Sequence, residues 1–309
     1  MSEPIIHTRG LTRSFGEIRA LDGLDLDVPP GIVFGFLGPN GAGKTTAIRL
    51  LLGLLEPTCG SARVLGFDTR SGADAIRCRS GALLEHHGLY ERLSAQDNLD
   101  FYARAWHLDR ANRASRIREL LEPLGLWDRR HEPVGGWSRG MKQKLAVARA
   151  LLHRPKLLFL DEPSAGLDPV AATALREDLS GLVSREGVTV FLTTHNLGEA
   201  ERLCQRVAVI KQGRLLAVGH PDELRSRHSL RAEITGRGFD DRLLAALRDR
   251  SDVVRFELRN GRLLIDLRHG AELSPLVSMM VHAGAEVEEA RKDRNTLEDV
   301  FLTLVEEDR

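Results

Sequence analysis

A short apolar run, Ile32–Leu37, leads directly into Gly38-Pro39-Asn40-Gly41-Ala42-Gly43-Lys44-Thr45, and helical spacing over Thr45–Leu55 follows. This strand–loop–helix order constrains the fold more than any other feature of the 309 residues. The loop fits G-x-x-x-x-G-K-[ST], which should arise by chance in on the order of one per cent of chains this long. Its glycines let successive N–H groups turn toward phosphate oxygens, and the helix N-terminus behind them favours negative charge. The segment from Gly38 through Thr46 is therefore the expected nucleotide cradle. Lys44 would reach the β- and γ-phosphates, and the Thr45 hydroxyl would ligate Mg²⁺. An ordinary glycine-rich turn is the plain alternative, and a second signal weighs against it. Leu158-Phe159-Leu160-Asp161-Glu162 is an apolar strand ending in two carboxylates, downstream and in the right order. Asp161 at the strand end can hold Mg²⁺, directly or through water. Glu162 would polarise the attacking water as general base, a contribution of typically about 10²–10⁴-fold.

Composition narrows the class. Lys plus Arg and Asp plus Glu both number 44, so the net charge is zero and offers no electrostatic case for nucleic acid as a partner. With 42% hydrophobic and 28% charged residues, the chain reads as a soluble globular protein. No run approaches the roughly 18 apolar residues of a membrane helix. Met1-Ser2-Glu3-Pro4 has no signal-peptide character, and Cys59, Cys78 and Cys204 are too scattered for disulfides or zinc. A cytoplasmic protein is expected.

Ile5–Arg9, Ile18–Leu21 and Leu24–Val28 read as short antiparallel strands divided by Gly16 and Gly23. From Asp74 to about Leu152 the pattern is mostly helical, including Asn98–Trp106, Ser115–Leu124 and Met141–Leu152. Lys156–Leu160 and Val188–Thr194 are β-rich, with the helix Val170–Ser184 between them, which implies a parallel sheet with crossover helices. Val207–Ile210 and Arg214–Val218 form a closing hairpin around Gln212-Gly213. Beyond Arg227 the order strand, helix, strand, strand, helix, strand is that of a ferredoxin-like unit. His86-His87 finds no further ligand at metal spacing and reads as a solvated loop, and Trp106 and Trp127 read as buried helix residues.

Three further segments carry a resemblance. Trp137-Ser138-Arg139-Gly140-Met141 precedes a helix about twenty residues before the Asp161 strand, Ser164-Ala165-Gly166-Leu167-Asp168 follows it, and His195 ends Val190–Thr194. Together they resemble the signature, D-loop and switch histidine of ATP-binding-cassette (ABC) ATPases. The resemblance covers roughly residues 4–225, with a helical subdomain about 80–152 and a C-terminal accessory domain over 228–309. It implies an α/β P-loop NTPase core: a mixed sheet with antiparallel opening strands, a helical subdomain and a small C-terminal α+β domain. ATP and Mg²⁺ are the implied cofactors. Phe15 resembles the aromatic that stacks on adenine, and Glu85 occupies the place of the Q-loop glutamine, near metal and nucleotide. Ser138, Arg139 and Gly140, at a helix N-terminus, make a second anion site. In the family that site caps the γ-phosphate held by a second subunit, so catalysis by Lys44, Glu162 and His195, with Asp168 at the interface, would require a homodimer or paired cassette.

Arg139 and Trp137 replace the signature glycine and leucine, and Glu85 loses an amide donor. These departures resemble cassettes that serve ABC-2-type exporters. Asn295-Thr296-Leu297-Glu298-Asp299-Val300-Phe301 is similar to the tail of daunorubicin-resistance-type export ATPases; an amphipathic helix burying Leu297, Val300, Phe301 and Leu304 accounts for it equally. The expectation is an ATPase that docks on separate transmembrane permease subunits at the cytoplasmic face of the membrane, through a surface around Glu85–Asn98, and is cytoplasmic when isolated. A soluble cassette acting on ribosomes or DNA is the rival; a single cassette copy without heptad insertions or basic tracts weighs against it. A nucleotide-dependent regulator without turnover is disfavoured by intact Lys44, Asp161, Glu162 and His195.

Overall fold

The computed structural model describes residues 3–227, 230–259, 261–268, 271–293 and 296–301. The chain divides into two compact units between Val218 and Gly219. Gly219 and Pro221 in the sequence suggest the end of the first unit at this point, whereas the extents 4–225 and 228–309 put it several residues later; the helix Pro221–Arg227 goes with the second unit.

The first unit opens with β1 (Ile6–Phe15) and β2 (Ile18–Val28), both longer than the sequence pattern implies. Gly16 separates the two strands as expected, but Gly23 lies within β2 at φ 67 instead of dividing strands, and Gly10 lies within β1 at φ 55. Glycine inside a strand marks a bulge, and the β1–β2 register shifts between Thr8 and Leu11. Side chains satisfy the displaced donors: Gly10 N–H donates to Asp25 Oδ1 at 2.7 Å and Gly23 N–H to Thr12 Oγ1 at 3.0 Å. After β3 (Val33–Leu37) and α1 (Lys44–Leu51), β4 (Cys59–Val64) and β5 (Phe67–Asp68) complete an antiparallel sheet of order β2-β1-β4-β5. β4 carries little β-propensity of its own; pairing with β1 makes it a strand.

The stretch read as helical from Asp74 holds α2 (Ala73–Arg77), β6 (Ser80–Leu83), α3 (Ala95–Ala105), α4 (Arg110–Leu121) and α5 (Arg139–Leu151). β6 corrects that reading. Ser-Gly-Ala-Leu has no β-branched residue, but Gly81 lets the strand approach Ala150, whose carbonyl would lie 2.1 Å from an added Cβ. The helices begin earlier than their apolar spacing because Ser94, Asp109 and Ser138 cap them. Trp106 and Trp127 are not buried: Trp106 stacks on His153 at the surface, and Trp127 lies in a 3₁₀ turn beneath Arg130.

β7 (Leu157–Asp161), α6 (Pro169–Glu186), β8 (Thr189–Thr194), α7 (Leu197–Leu203), β9 (Arg206–Lys211) and β10 (Arg214–Gly219) finish the unit. The six-stranded sheet runs β10-β9-β3-β8-β7-β6, with β9, β3, β8, β7 and β6 successively parallel. β3, β7 and β8 are buried at every position, which explains their unbroken apolar runs. Phe34, Phe36 and Phe159 gather around Phe191 in this core.

In the second unit, α8 (Pro221–Arg227) precedes β11 (Leu230–Arg237), α9 (Asp241–Arg248), β12 (Val253–Arg259), β13 (Arg262–Leu267), α10 (Leu273–His282) and β14 (Glu286–Asp293). The sheet order β12-β13-β11-β14, antiparallel throughout, is the ferredoxin-like arrangement. Alternate residues Ala232 and Ile234, with Leu263, Ile265 and Leu267, face Leu243, Leu247, Leu276 and Met280 in its core. A helical turn at 297–301 buries Leu297 and Val300; Asn295 and Leu304 of the proposed tail motif lie outside the described residues.

Candidate nucleotide-binding site

β3, a central strand, delivers the glycine loop to the C-terminal end of the parallel sheet, where close contacts dictate its composition. A Cβ on Gly38 would meet the Ile210 carbonyl oxygen at 2.4 Å, and one on Gly43, at φ 103, the Ala20 carbonyl oxygen at 2.3 Å. Gly43 also occupies the N-cap of α1, so no side chain caps the helix, and its first turn has no acidic residue. The N–H groups there are left to an anion. Lys44, the first helical residue, is only 6% exposed. Its ammonium donates to the carbonyls of Gly38 at 2.7 Å and Pro39 at 3.1 Å, and pairs with Glu162 Oε1 at 3.1 Å. A cavity of about 220 Å³ opens above it between Asn40, Gly41, Thr45, Thr46, Ala20 and Glu162. Ala42 is buried beneath the loop, its carbonyl accepting from Gly213 N–H at 3.0 Å.

Register in the parallel sheet supplies the rest. Asp161 ends β7 directly opposite Thr193 of β8. Asp161 Oδ1 accepts from the Thr193 hydroxyl at 2.5 Å, and Oδ2 from the Thr45 hydroxyl at 2.7 Å. Glu162 then turns out of the strand at φ 49, a left-handed conformation uncommon for a residue with a Cβ. Its N–H is held by Thr193, with carbonyl and hydroxyl oxygens both at 3.1 Å. This turn aims the carboxylate back over the loop, with Oε1 near Lys44 and Oε2 2.7 Å from His195 Nδ1. Lys44, Glu162 and His195, far apart in the chain, thus form one hydrogen-bonded and ion-paired row.

The other expected site residues lie around this row. Phe15, at the end of β1, is 45% exposed, and the Arg13 guanidinium lies 4.6 Å above its ring. Ser138 caps α5, its hydroxyl accepting from Met141 N–H at 3.3 Å. The Arg139 guanidinium packs on the backbone of Gly166, and Gly140 lies against Ala171. Asp168 caps α6 by accepting from Val170 and Ala171 N–H at 3.0 and 2.9 Å. Glu85 is exposed and pairs with Arg49 at 3.6 Å, one turn along α1 from Thr45. Among the described residues, no hydrogen bond or ion pair joins Phe15, Ser138, Arg139, Gly140, Asp168 or Glu85 to Lys44, Glu162 or His195. His87 is half-buried, not solvated as its sequence implies; burial, and then Arg139, Lys142 and Arg149, hold its pKa below the usual imidazole value.

Sequence reasoning passed over Thr193, Thr194 and Glu199. The signal was available: consecutive strand residues face opposite ways, so Thr193-Thr194 presents a hydroxyl on each side of the sheet. Thr193 bonds Asp161, and Thr194 bonds the buried Glu199.

A glycine loop feeding an uncapped helix, a buried lysine, and a strand-end Asp–Thr pair beside Glu162 and His195 define a P-loop nucleotide-hydrolysing protein. Comparison with known proteins narrows the class. Residues 21–165 match the ABC transporter family. The bacitracin transport ATP-binding protein BcrA of Bacillus licheniformis is 35% identical over 301 residues, spanning 97% of each chain. The daunorubicin resistance ATP-binding protein DrrA3 of Streptomyces coeruleorubidus is 38% identical, covering 100% of this chain and 98% of its own. The Nod factor export ATP-binding protein I of Cupriavidus metallidurans is 39% identical over 97% of both. Among solved structures, cbiO1 of Clostridium perfringens, part of the ABC transporter complex cbiONQ, superposes with a TM-score of 0.68. It is 28% identical and covers 72% of this chain and 91% of its own. The chain belongs to the ATP-binding proteins of ABC transporters, and it binds and hydrolyses ATP.

Proposed function

We propose that this chain powers an ABC-2-type exporter, hydrolysing ATP between two head-to-tail cassettes docked on separate transmembrane subunits. The observation that carries the reading is the row Lys44–Glu162–His195 over the glycine loop. Incoming phosphates would draw the Lys44 ammonium away from the loop carbonyls, replacing neutral acceptors with anionic ones. Glu162, freed from that ion pair, would orient and deprotonate the attacking water, with His195 holding the carboxylate in place. Thr45 and Asp161 set a hydroxyl beside a carboxylate, the hard oxygen donors Mg²⁺ prefers, and these two residues would hold the ion beside the phosphates. Mg²⁺ would neutralise charge on the phosphates. Glu85 would join that set only by leaving Arg49. Phe15 would take the adenine.

Ser138 and the first N–H groups of α5 form the second half-site, which in this reading caps the γ-phosphate of a partner cassette. ATP would then close the pair, and hydrolysis would release it. Among the described residues no helix is long and apolar enough to cross a membrane, which fits docking on separate subunits. Tyr90, Leu93 and Phe101 are exposed in the region beyond Glu85, with Tyr90 and Phe101 edge to face at 5.0 Å. Beside them a largely apolar cleft of about 340 Å³ includes Leu52, Leu54, Leu84 and Trp106. An exposed aromatic patch beside an apolar cleft suits a partner helix. The relatives named for export and drug resistance support outward transport, and the subunits would hold the chain at the cytoplasmic face.

Replacing Glu162 with Gln tests the reading. Hydrolysis should fall at least about 10²-fold while ATP binding persists, and saturating ATP should drive the variant into a dimer detectable by light scattering. A variant that stays monomeric with ATP bound would rule out the paired-cassette mechanism.

A further inference from the structure

We propose that Glu199 is a positioning residue that couples the loop Ser164–Asp168 to His195. The inference rests on the catalytic reading of Glu162 and His195 above, and concerns what holds the two loops in step. Glu199 is 2% exposed, on α7, one turn beyond His195. Its Oε2 accepts from the Ser164 hydroxyl at 2.6 Å and from the Thr194 hydroxyl at 3.2 Å. Thr194 in turn accepts the N–H of Asn196 at 3.0 Å, and Asn196 accepts the N–H of Glu199 at 3.0 Å. Both neighbours of His195 are therefore fixed in a closed ring whose hub is the Glu199 carboxylate.

The adjacent α7 residues Ala200 and Leu203 are buried and apolar. Packing alone would be served by a third apolar side chain, since a buried carboxylate is costly unless its lone pairs are filled. Here one oxygen collects two hydroxyls, one from the loop after β7 and one from the last residue of β8. The loop leaving β7 and the loop leaving β8 are thereby tied twice: Glu162 to His195, and Ser164 through Glu199 to Thr194. Displacing Ser164, as engagement of its loop by a second cassette would do, pulls on Thr194 and so on the backbone of His195. Pairing of two cassettes would in this way set the geometry of the hydrolytic row.

Steady-state ATP hydrolysis by the full-length protein tests this, alongside fluorescent-nucleotide binding and thermal unfolding. Glu199→Ala should lower kcat about tenfold, because a small misplacement of a catalytic group is costly. KM for ATP should stay within about twofold, the pattern expected when ground-state binding is untouched. Glu199→Gln keeps an accepting oxygen and should restore kcat to within about threefold of wild type. Ser164→Ala and Thr194→Val should each lower kcat, and neither should add to the loss in Glu199→Ala, as members of one network do not combine independently. Unchanged kcat in Glu199→Ala, a loss confined to KM, failure of Glu199→Gln to rescue, or multiplying losses would each overturn the proposal. Should Glu199→Ala not fold, the pair Ser164→Ala and Thr194→Val carries the test: their combined loss should be no larger than the greater single one, and multiplication would refute the shared hub. If Glu162→Gln still hydrolyses ATP, the catalytic reading itself fails, an outcome separate from these.

Discussion

Glu162 holds φ at 49 and still keeps three partners, the Thr193 backbone and hydroxyl, Lys44 and His195. Such a conformation typically costs about 1–3 kcal/mol and persists only where the surroundings over-determine it. The same logic governs Gly166, at φ 70 beneath the Arg139 guanidinium, whose Nη1 would lie 2.4 Å from an added Cβ. Gly166→Ala should cost about 1 kcal/mol of unfolding free energy through the backbone conformation. The guanidinium is the far end of a flexible side chain and can swing clear. Denaturant unfolding should therefore give the same loss in an Arg139→Ala background; a loss that vanishes there would make the clash, not φ, its source.

Helix ends and their ties decide stability at the scale of elements. Ser138 is both the cap of α5 and the expected trans anion site. Ser138→Ala should lower stability by about 1 kcal/mol, as loss of a cap does. It should also slow turnover with ATP affinity nearly unchanged. A large fall in the monomer's affinity would put Ser138 in its own nucleotide site. A second tie was invisible in the sequence. Arg116 of α4 is 2% exposed, donating to the carbonyls of Leu151 and Leu152 and, with both terminal nitrogens, to Glu186 at the end of α6. Glu186→Ala removes the bidentate partner and leaves Glu119, 3.3 Å from Arg116 Nη1, as its remaining carboxylate, so the variant should cost about 2 kcal/mol by chemical denaturation. Replacing Arg116 and Glu186 together with Met and Leu should recover most of it. The helical spacing of α4 signals one apolar face, and nothing local marks Arg116 as its buried member.

At the scale of the whole chain, each unit has its own apolar core, one around Phe34, Phe36, Phe159 and Phe191, the other around Ile234, Ile265 and Leu267. A fragment ending at Val218 should fold cooperatively and bind ATP, measured by circular dichroism melting and fluorescent-nucleotide titration. A fragment that stays unfolded would show that the first unit needs the second.

Local motifs were legible because their chemistry is local. The glycine loop, the strand end at Asp161-Glu162 and the cap at Ser138 depend on residues a few positions apart, and on φ values that only certain side chains tolerate. The βαββαβ order of the second unit was equally legible from alternation and spacing. The short strands β4 and β6 were not, because neighbouring strands, not their own propensities, make them strands. Nor were the partners of the hydrolytic row. Asp161 meets Thr193 because β7 and β8 run parallel in one register, and Glu199 meets Ser164 because α7 folds back beside the loop after β7. Residue order alone sets which chemical groups are present and the local conformation that presents them. The hydrogen bonds that join the hydrolytic row, Asp161 to Thr193, Glu162 to His195 and Ser164 to Glu199, come from the tertiary structure, since register and burial unite side chains more than thirty residues apart and no local rule reaches that far.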